Sequence, residues 1–174
     1  MVLQVESRPS DSPYIARVWR SRSSDDAERM TSVANVNGEL VVWEHRGRVH
    51  MEIRGPEPQA SRAPVPEGAT FFGILFAAGA WMPHLPFHRL VDRSVEVPDV
   101  TRRRFWLHGS TWDMRDYDNA EEFVRRLVRE GVLDSDPLVP EVLRGASPGL
   151  SERTIQRRFI AATGLTRAAI RQIE

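Results

Sequence analysis

The sequence predicts an α+β protein in which an N-terminal antiparallel β sandwich or open barrel is followed by a helical C-terminal segment. Before residue 119, apolar and polar residues alternate in short runs separated by Gly and Pro, which is typical of small β domains. After residue 119 the apolar residues recur with the period of a helix. All five Trp and nine of the 12 Pro precede this point. We therefore divide the chain into a β-rich domain, 1–118, and a helical segment, 119–174.

The composition is that of a folded globular protein, and it excludes the functions that depend on cysteine or on a large net charge. With 174 residues, 41% of them hydrophobic, the chain is long enough for one compact domain or for a small domain with an appendage. Arginine supplies all 24 basic residues and balances 24 acidic ones, so no global charge attracts nucleic acid. The lack of cysteine excludes disulfides, thiolate zinc sites and thiol nucleophiles.

The longest stretch without a charged side chain, 69–87, is expected to be buried core. Pro83 and Pro86 interrupt it, and its apolar part is too short to span a membrane. Glu6 and Asp11 lie where a secretory signal would place its apolar region. We therefore expect a cytoplasmic protein with no membrane partner.

The strand predictions rest on alternation and on turn residues. Residues 49–53 alternate between apolar and polar side chains, as in a half-buried strand. Asn37-Gly38 and Arg46-Gly47 are typical hairpin turns, so a meander of three strands is predicted. Residues 55–68 contain four prolines and are expected to be a loop or an edge connection. The meander strands are 32–36, 39–44 and 48–54, and further strands are predicted at 14–20, 70–76, 94–97 and 104–108.

Four helices are predicted after residue 118. Each begins at a residue type that is favoured at helix N-termini, and three are followed by a glycine that ends them. Asn119 and Glu122 have the spacing of a capping box. The helices run from Asn119 to about Gly131, over 137–144 before Gly145, from Ser151 to about Thr163 before Gly164, and from Thr166 onward.

The third helix carries the residues that most directly indicate a function. Ile155 and Phe159 lie on its apolar face, whereas Arg153, Gln156 and Arg157 lie at i, i+3 and i+4 and emerge side by side. Arg can bind guanine O6 and N7 in a bidentate manner, and Gln can do the same with adenine N6 and N7. A helix of this size fits the major groove of DNA.

The charge around this helix is locally basic. Six arginines and a single acidic residue, Glu152, lie between Arg144 and Arg171, which is an excess of five positive charges. Such an excess is expected of a surface that binds phosphates. A solvated helix face would have the same composition, so the residues alone leave both interpretations open.

The stretch LSERTIQRRFIAATGL, 150–165, resembles the first helix-turn-helix of AraC-family transcription regulators. The shared features are the Ser cap, an aliphatic residue, an Arg and a Phe at these spacings, and the closing Gly. The continuation TRAAIRQIE resembles the start of the helix that links the two helix-turn-helix motifs of that family. FFGILFAAGAWMPHLP and FWLHGSTW weakly resemble the β-rich sensor region of some members.

The resemblance implies a sequence-specific DNA-binding transcription regulator whose recognition helix is 151–163. Base contacts are then assigned to Arg153, Gln156 and Arg157, and phosphate contacts to Arg158 and Arg167. Double-stranded DNA is the implied partner, together with a possible small-molecule effector and a possible homodimer. No enzymatic activity, cofactor or metal is expected. The family's second helix-turn-helix has no counterpart here, so we expect an incomplete DNA-binding domain.

An alternative function is a small-molecule-binding β module whose helical tail serves dimerisation and does not bind DNA. Ligand pockets are mostly apolar and aromatic. Trp43, Trp81 and Trp106 are the candidates to line such a pocket, although they are equally compatible with a role in the core.

A metal-dependent enzyme is the third, least favoured hypothesis. His84 and His88, with His45 or His50, provide metal-binding side chains, but no nearby carboxylate completes a recognised pattern. We interpret these histidines as surface or core residues. Asp113, Asp116 and Asp118 are expected to form a loop that leads into the Asn119 cap, not a catalytic pair. The sequence contains no phosphate-binding glycine loop, Ser-His-Asp arrangement or dinucleotide fingerprint.

Overall fold

The computed structural model describes residues 4–24 and 29–173 and has a mostly antiparallel β structure followed by helices. Among these residues, the strands are β1 (Gln4–Arg8), β2 (Ile15–Arg22), β3 (Arg29–Ser32), β4 (Glu39–His45), β5 (Arg48–Arg54), β6 (Ser61–Pro64), β7 (Thr70–Phe76), β8 (Ala80–Trp81), β9 (Ser94–Glu96), β10 (Arg104–Leu107), β11 (Ser110–Asp113) and β12 (Asp134–Ser135). The helices are α1 (Ala120–Arg129), α2 (Leu138–Leu143), α3 (Glu152–Thr163) and α4 (Arg167–Ile173), with short 3-10 helices at Phe87–Arg89 and Tyr117–Asn119. The mixed α and β content predicted from the sequence is confirmed.

Six strands form one sheet in the order β1-β2-β7-β4-β5-β9, and all neighbours are antiparallel. Val18, Ile74, Leu40 and Ile53 are directly opposite one another across β2, β7, β4 and β5. All four are fully buried. Because side chains alternate between the two faces, a slip of one residue would turn a strand's apolar residues away from this row.

The buried face of the sheet shares one hydrophobic cluster with α1 and the hairpin β10–β11. Phe123 of α1 packs edge-to-face against Phe105 and Trp112 of the hairpin, with ring centroids 5.8 and 6.2 Å apart. The Trp112 indole Nε1 donates a hydrogen bond to the Leu107 carbonyl oxygen at 2.9 Å. The hairpin is therefore held internally as well as through the core.

A second hydrophobic cluster joins α2, α3 and α4. Its buried residues are Leu138, Val139, Val142, Ile155, Phe159, Ala162, Leu165 and Ile170. Helix α1 belongs to the first cluster although the composition changes at residue 119. We refer below to the sheet part, the described residues up to 135, and to the helical part, 136–173. The domain division at residue 119 stays a prediction, and the change of cluster falls between Leu133 and Leu138.

The large sheet is open, and this modifies the expectation of a sandwich or barrel. Strands β1 and β9 form its two edges. In the described part of the chain, the residues packed on its buried face come from helix α1, the hairpin β10–β11, the short strand β8 and connecting segments, not from a second large sheet. The antiparallel pairing predicted for the strands is therefore confirmed, whereas two large facing sheets are not found among the described residues.

The predicted strand 32–36 and its turn at Asn37-Gly38 are wrong. Strand β3 ends at Ser32 and pairs with β6, while Asn35 forms an isolated bridge with Glu57. The Asn35 side-chain oxygen accepts a hydrogen bond from the Asn37 backbone N–H at 3.0 Å, which bends the chain locally instead of continuing a strand. A Cβ at Gly38 would lie 2.1 Å from the Phe87 ring, so this glycine provides space for an aromatic side chain.

The other strand predictions are confirmed to within a few residues. Strand β7 has the predicted limits, and β4 and β5 pair through the turn at Arg46-Gly47. Strand β6 lies inside the proline-rich segment, at an edge position that tolerates proline.

The capping box predicted at Asn119 and Glu122 is wrong in its detail. Helix α1 begins after Asn119, but the Asn119 side chain makes no capping hydrogen bond to the helix. Instead it donates to Asp116 Oδ1 at 2.8 Å, and the same carboxylate accepts from the Asp118 backbone N–H at 3.1 Å. Asp116 thus caps a short 3-10 helix that leads into α1.

An ion pair joins the edge strand β1 to helix α1. The Arg8 guanidinium donates to both carboxylate oxygens of Glu121, and it also donates to the Tyr117 carbonyl oxygen at 2.7 Å. The hydrogen bond from Arg8 is the main cause that lowers the pKa of the Glu121 carboxyl from 4.5 to about 2. Both side chains are part-buried.

We expect Glu121→Gln to lower the free energy of unfolding at pH 7 by about 1 kcal/mol, since the pair is partly solvated. The folded-state pKa lies below the unfolded value, so this stabilisation is present above about pH 4.5 and disappears as the pH falls toward 2. Urea unfolding at pH 7, 4 and 2.5 measures it. Glu122→Gln is the matched control, because Glu122 is adjacent, exposed and without an ion pair among the described residues. An equal effect of Glu121→Gln at pH 7 and 2.5 would contradict the assignment.

Candidate nucleic-acid interface

Helix α3 begins and ends where the sequence predicts. The Ser151 hydroxyl oxygen accepts a hydrogen bond from the Thr154 backbone N–H at 3.3 Å. Gly164 follows the helix with φ of 77°, a left-handed conformation that suits glycine, and its N–H donates to the Ile160 carbonyl oxygen at 2.8 Å. These local bonds satisfy backbone groups at both ends of the helix.

The two faces of α3 differ sharply in exposure. Ile155 and Phe159 are buried in the second hydrophobic cluster. Arg153, Gln156 and Arg157 are exposed, and none of them has an ion pair or side-chain hydrogen bond with another described residue. The structure therefore brings these three predicted residues together on one accessible face and leaves their donors available to an external partner.

Arg158 has a different environment. It is half-buried, and its Nε and Nη2 donate to the two carboxylate oxygens of Asp136 at 3.0 and 2.6 Å. This hydrogen bond raises the pKa of the Arg158 guanidinium above its usual value. Asp136 Oδ1 also accepts from the Leu138 backbone N–H at 3.0 Å, at the start of α2. The pair therefore fixes α3 against the start of α2. It also occupies the guanidinium that the family resemblance assigns to a phosphate.

Arg167 forms a weaker pair across the helical part. Its Nη1 lies 3.7 Å from Glu152 Oε2, which connects the start of α4 to the start of α3. The Glu152 side chain is almost fully exposed, so solvent screens this interaction. The Thr166 hydroxyl accepts from the Ala169 N–H at 3.1 Å, and the predicted cap of α4 is confirmed.

The helical part packs on residues 79–91, which we name the docking segment. A Cβ at Gly164 would lie 2.9 Å from both His88 Cα and Val91 Cγ2. A Cβ at Gly79 would lie 2.8 Å from the Asp136 carbonyl oxygen. His88 Nδ1 lies 3.3 Å from the Ala161 carbonyl oxygen. Two close backbone approaches thus hold α2 and α3 against the sheet part.

The three tryptophans that were candidates for a ligand pocket lie in separate surroundings. Trp43 stacks on His50 with centroids 5.0 Å apart, Trp81 is half-buried against the first cluster, and Trp106 is 47% exposed on β10. No ring contact joins any two of them within the described residues. An open groove of about 430 Å³ has other lining residues: Asp11, Ser12, Pro13, Tyr14, Glu121, Arg125 and Val128.

Among the described residues the histidines do not form a three-residue metal site, although two of them, His84 and His108, are in contact. The rings of His84 and His108 are 4.1 Å apart, His88 contacts α3, and His50 stacks on Trp43. Both ring nitrogens of His84 are buried without a hydrogen-bond partner, and burial together with His108 lowers its pKa. Across residues 4–24 and 29–173, no group of three or more His, Asp or Glu side chains is placed to hold a metal ion.

Sequence reasoning missed Asp136 and the docking segment. An Asp that precedes a Pro at the first turn of a helix is a common N-terminal signal, and this signal was present at Asp136-Pro137. Nothing local marks Gly79 or Gly164 as sites where another part of the chain approaches closely.

We expect Gly164→Ala to lower the free energy of unfolding by about 1–3 kcal/mol more than Gly145→Ala does. Both glycines have positive φ, so alanine causes a similar backbone strain at either position. A Cβ at Gly145, however, meets no atom within 4 Å. The difference between the two variants therefore isolates the contact with His88 and Val91. Urea unfolding followed by far-UV circular dichroism measures it, and equal losses would show that α3 does not pack on the docking segment.

Comparison with models of known protein families, with curated proteins and with solved structures finds no match to this chain. Of the helices in the described residues, none is long and apolar enough to cross a membrane. The candidate interface is therefore defined by the exposed face of α3 and by the contacts that hold this helix in place.

Proposed function

We propose that the chain is a sequence-specific DNA-binding transcription regulator that reads bases with the exposed face of α3. The observation that carries this proposal is the side-by-side exposure of Arg153, Gln156 and Arg157, unpaired with any described residue, on a helix whose opposite face is anchored. The proposal includes the assignment of α2 and α3 as a helix-turn-helix. The AraC-like spacing of Ser151, Phe159 and Gly164 supports it.

The dimensions of α3 suit the major groove. Its 12 residues give a length of about 18 Å, and a helix with its side chains is about 10–12 Å wide. The major groove of B-DNA is about 12 Å wide. Residues near the N-terminus of a recognition helix lie nearest the base edges, and Arg153, Gln156 and Arg157 occupy the first half of α3. Arg153 and Arg157 then bind guanines, and Gln156 binds an adenine.

The charges of the helical part support a phosphate-binding surface around these readers. Arg144 and Arg171 are exposed and have no ion pair among the described residues. We assign phosphate contacts to them, while Arg158 and Arg167 hold the helices through Asp136 and Glu152. A protein of zero net charge then binds DNA through a local excess of positive charge.

The sheet part acts in this proposal as the sensor or dimerisation module. One reading helix contacts a single segment of major groove, and a second copy of the chain supplies a second half-site. An effector that binds two arrangements of the helical part with different affinity shifts the balance between them. DNA as a partner agrees with the cytoplasmic localisation expected from the sequence.

We expect selection from random double-stranded DNA to enrich a defined site, and Arg157→Ala to relax the preference at one base pair of it. The loss at that position is about 1–3 kcal/mol, because a bidentate contact to guanine is removed. Binding titrations on single-base variants of the site measure this loss. Arg125→Ala is the matched control, since Arg125 is an exposed arginine of α1, outside the proposed interface.

Two results would contradict the proposal that α3 reads DNA bases. If alanine at Arg153, Gln156 and Arg157 together leaves DNA binding unchanged, the face of α3 is not the interface. If Arg157→Ala weakens binding to every sequence equally, Arg157 binds a phosphate and does not read a base.

A further inference from the structure

The exposed face of α3 continues beyond the helix into the sheet part. Arg153, Arg157 and Ala161 lie at i, i+4 and i+8 on one line, and all three are exposed. The rise of a helix places the two ends of this line about 12 Å apart. At its C-terminal end His88 lies against the Ala161 carbonyl oxygen. The surface that follows the proposed readers is therefore formed by the docking segment.

The short 3-10 helix Phe87–Arg89 is rigidly attached to the sheet. Phe87 is fully buried, stacks on Phe76 with centroids 6.0 Å apart, and fills the space that a side chain at Gly38 would occupy. With Phe87 anchored inward, His88 and Arg89 are exposed. The backbone that carries Arg89 is therefore anchored to the sheet through the neighbouring Phe87.

Arg89 is available for an external anion. It makes no ion pair or side-chain hydrogen bond with another described residue. The following turn contains exposed Asp92 and exposed Arg93, whose charges offset each other. The docking segment and this turn therefore present a net positive charge through Arg89, next to the C-terminal end of α3.

We propose that Arg89 binds a DNA phosphate at the C-terminal end of α3, so that the duplex contacts the sheet part and the helical part together. A recognition helix whose N-terminal residues lie nearest the base edges has its C-terminal end nearer the rim of the groove, where phosphates lie. This inference rests on the proposed DNA-binding function. It makes the docking segment a direct part of the interface as well as the support of α3.

The test compares the full chain with Arg89→Ala and Arg89→Lys in binding titrations over a series of salt concentrations. The probes are the site selected with the unaltered protein and a scrambled duplex of equal length. We expect Arg89→Ala to weaken binding to both duplexes by a similar factor and to reduce the slope of log K against log salt by about 0.9, the value for one phosphate contact. Arg89→Lys should retain most of the slope, because lysine keeps the charge.

Arg48→Ala is the matched control and should leave the slope unchanged. Arg48 is exposed at the start of β5, and the seven residues of that strand place it about 20 Å from the end that pairs with β9 beside the docking segment. Far-UV circular dichroism and urea unfolding confirm that the variants fold.

The outcomes separate this inference from the function on which it rests. If the unaltered protein binds neither duplex, both are overturned. If it binds DNA and Arg89→Ala leaves the affinity and the salt slope unchanged, only the phosphate contact is overturned. A loss of affinity for the selected site without a loss for the scrambled duplex would also overturn it, because a phosphate contact carries no direct sequence information.

Discussion

The close approach of two backbones, at Gly79 and at Gly164, is the constraint on which the arrangement of the helical part depends. At both positions a single Cβ would overlap neighbouring main-chain atoms. A contact made by the backbone does not depend on a side chain that could change its rotamer. Such contacts therefore fix the orientation of the helical part more tightly than a layer of long side chains would. The base recognition that we propose for α3 requires such fixed geometry, because a bidentate hydrogen bond is lost when the helix tilts.

Whether an arginine has a carboxylate partner determines how much positive charge it contributes to the surface of this protein. Arg8 and Arg158 each bind one carboxylate with a planar guanidinium that matches its two oxygens. Each of these internal pairs neutralises one acidic and one basic side chain. Arg153 and Arg157 have no such partner among the described residues, so no carboxylate offsets their charges at the surface. A neutral protein can therefore carry a basic face.

Local patterns predicted the elements whose causes are local. Alternation and a tight turn suffice for β4 and β5, and capping residues suffice for α3. Periodicity also predicts that Arg153 and Arg157 are exposed, since it separates the two faces of a helix. It does not predict what covers an apolar face. The sequence therefore groups α1 with the other helices, whereas in the structure α1 packs on the sheet. The Asp136 partner of Arg158 is 22 residues away, beyond any helical pattern.

The distribution of tryptophan separates the two hydrophobic clusters experimentally. All five tryptophans precede residue 119, and buried Trp112 lies in the first cluster. Helices α2, α3 and α4 contain none. Intrinsic fluorescence therefore reports mainly on the surroundings of the sheet, with Trp81 of the docking segment also sensing the helical part, while circular dichroism at 222 nm follows the helices directly. Coincident transitions of the two signals would mean that both clusters unfold as one cooperative unit, and an earlier loss of helical signal would mean that the helices detach from a sheet that is still folded.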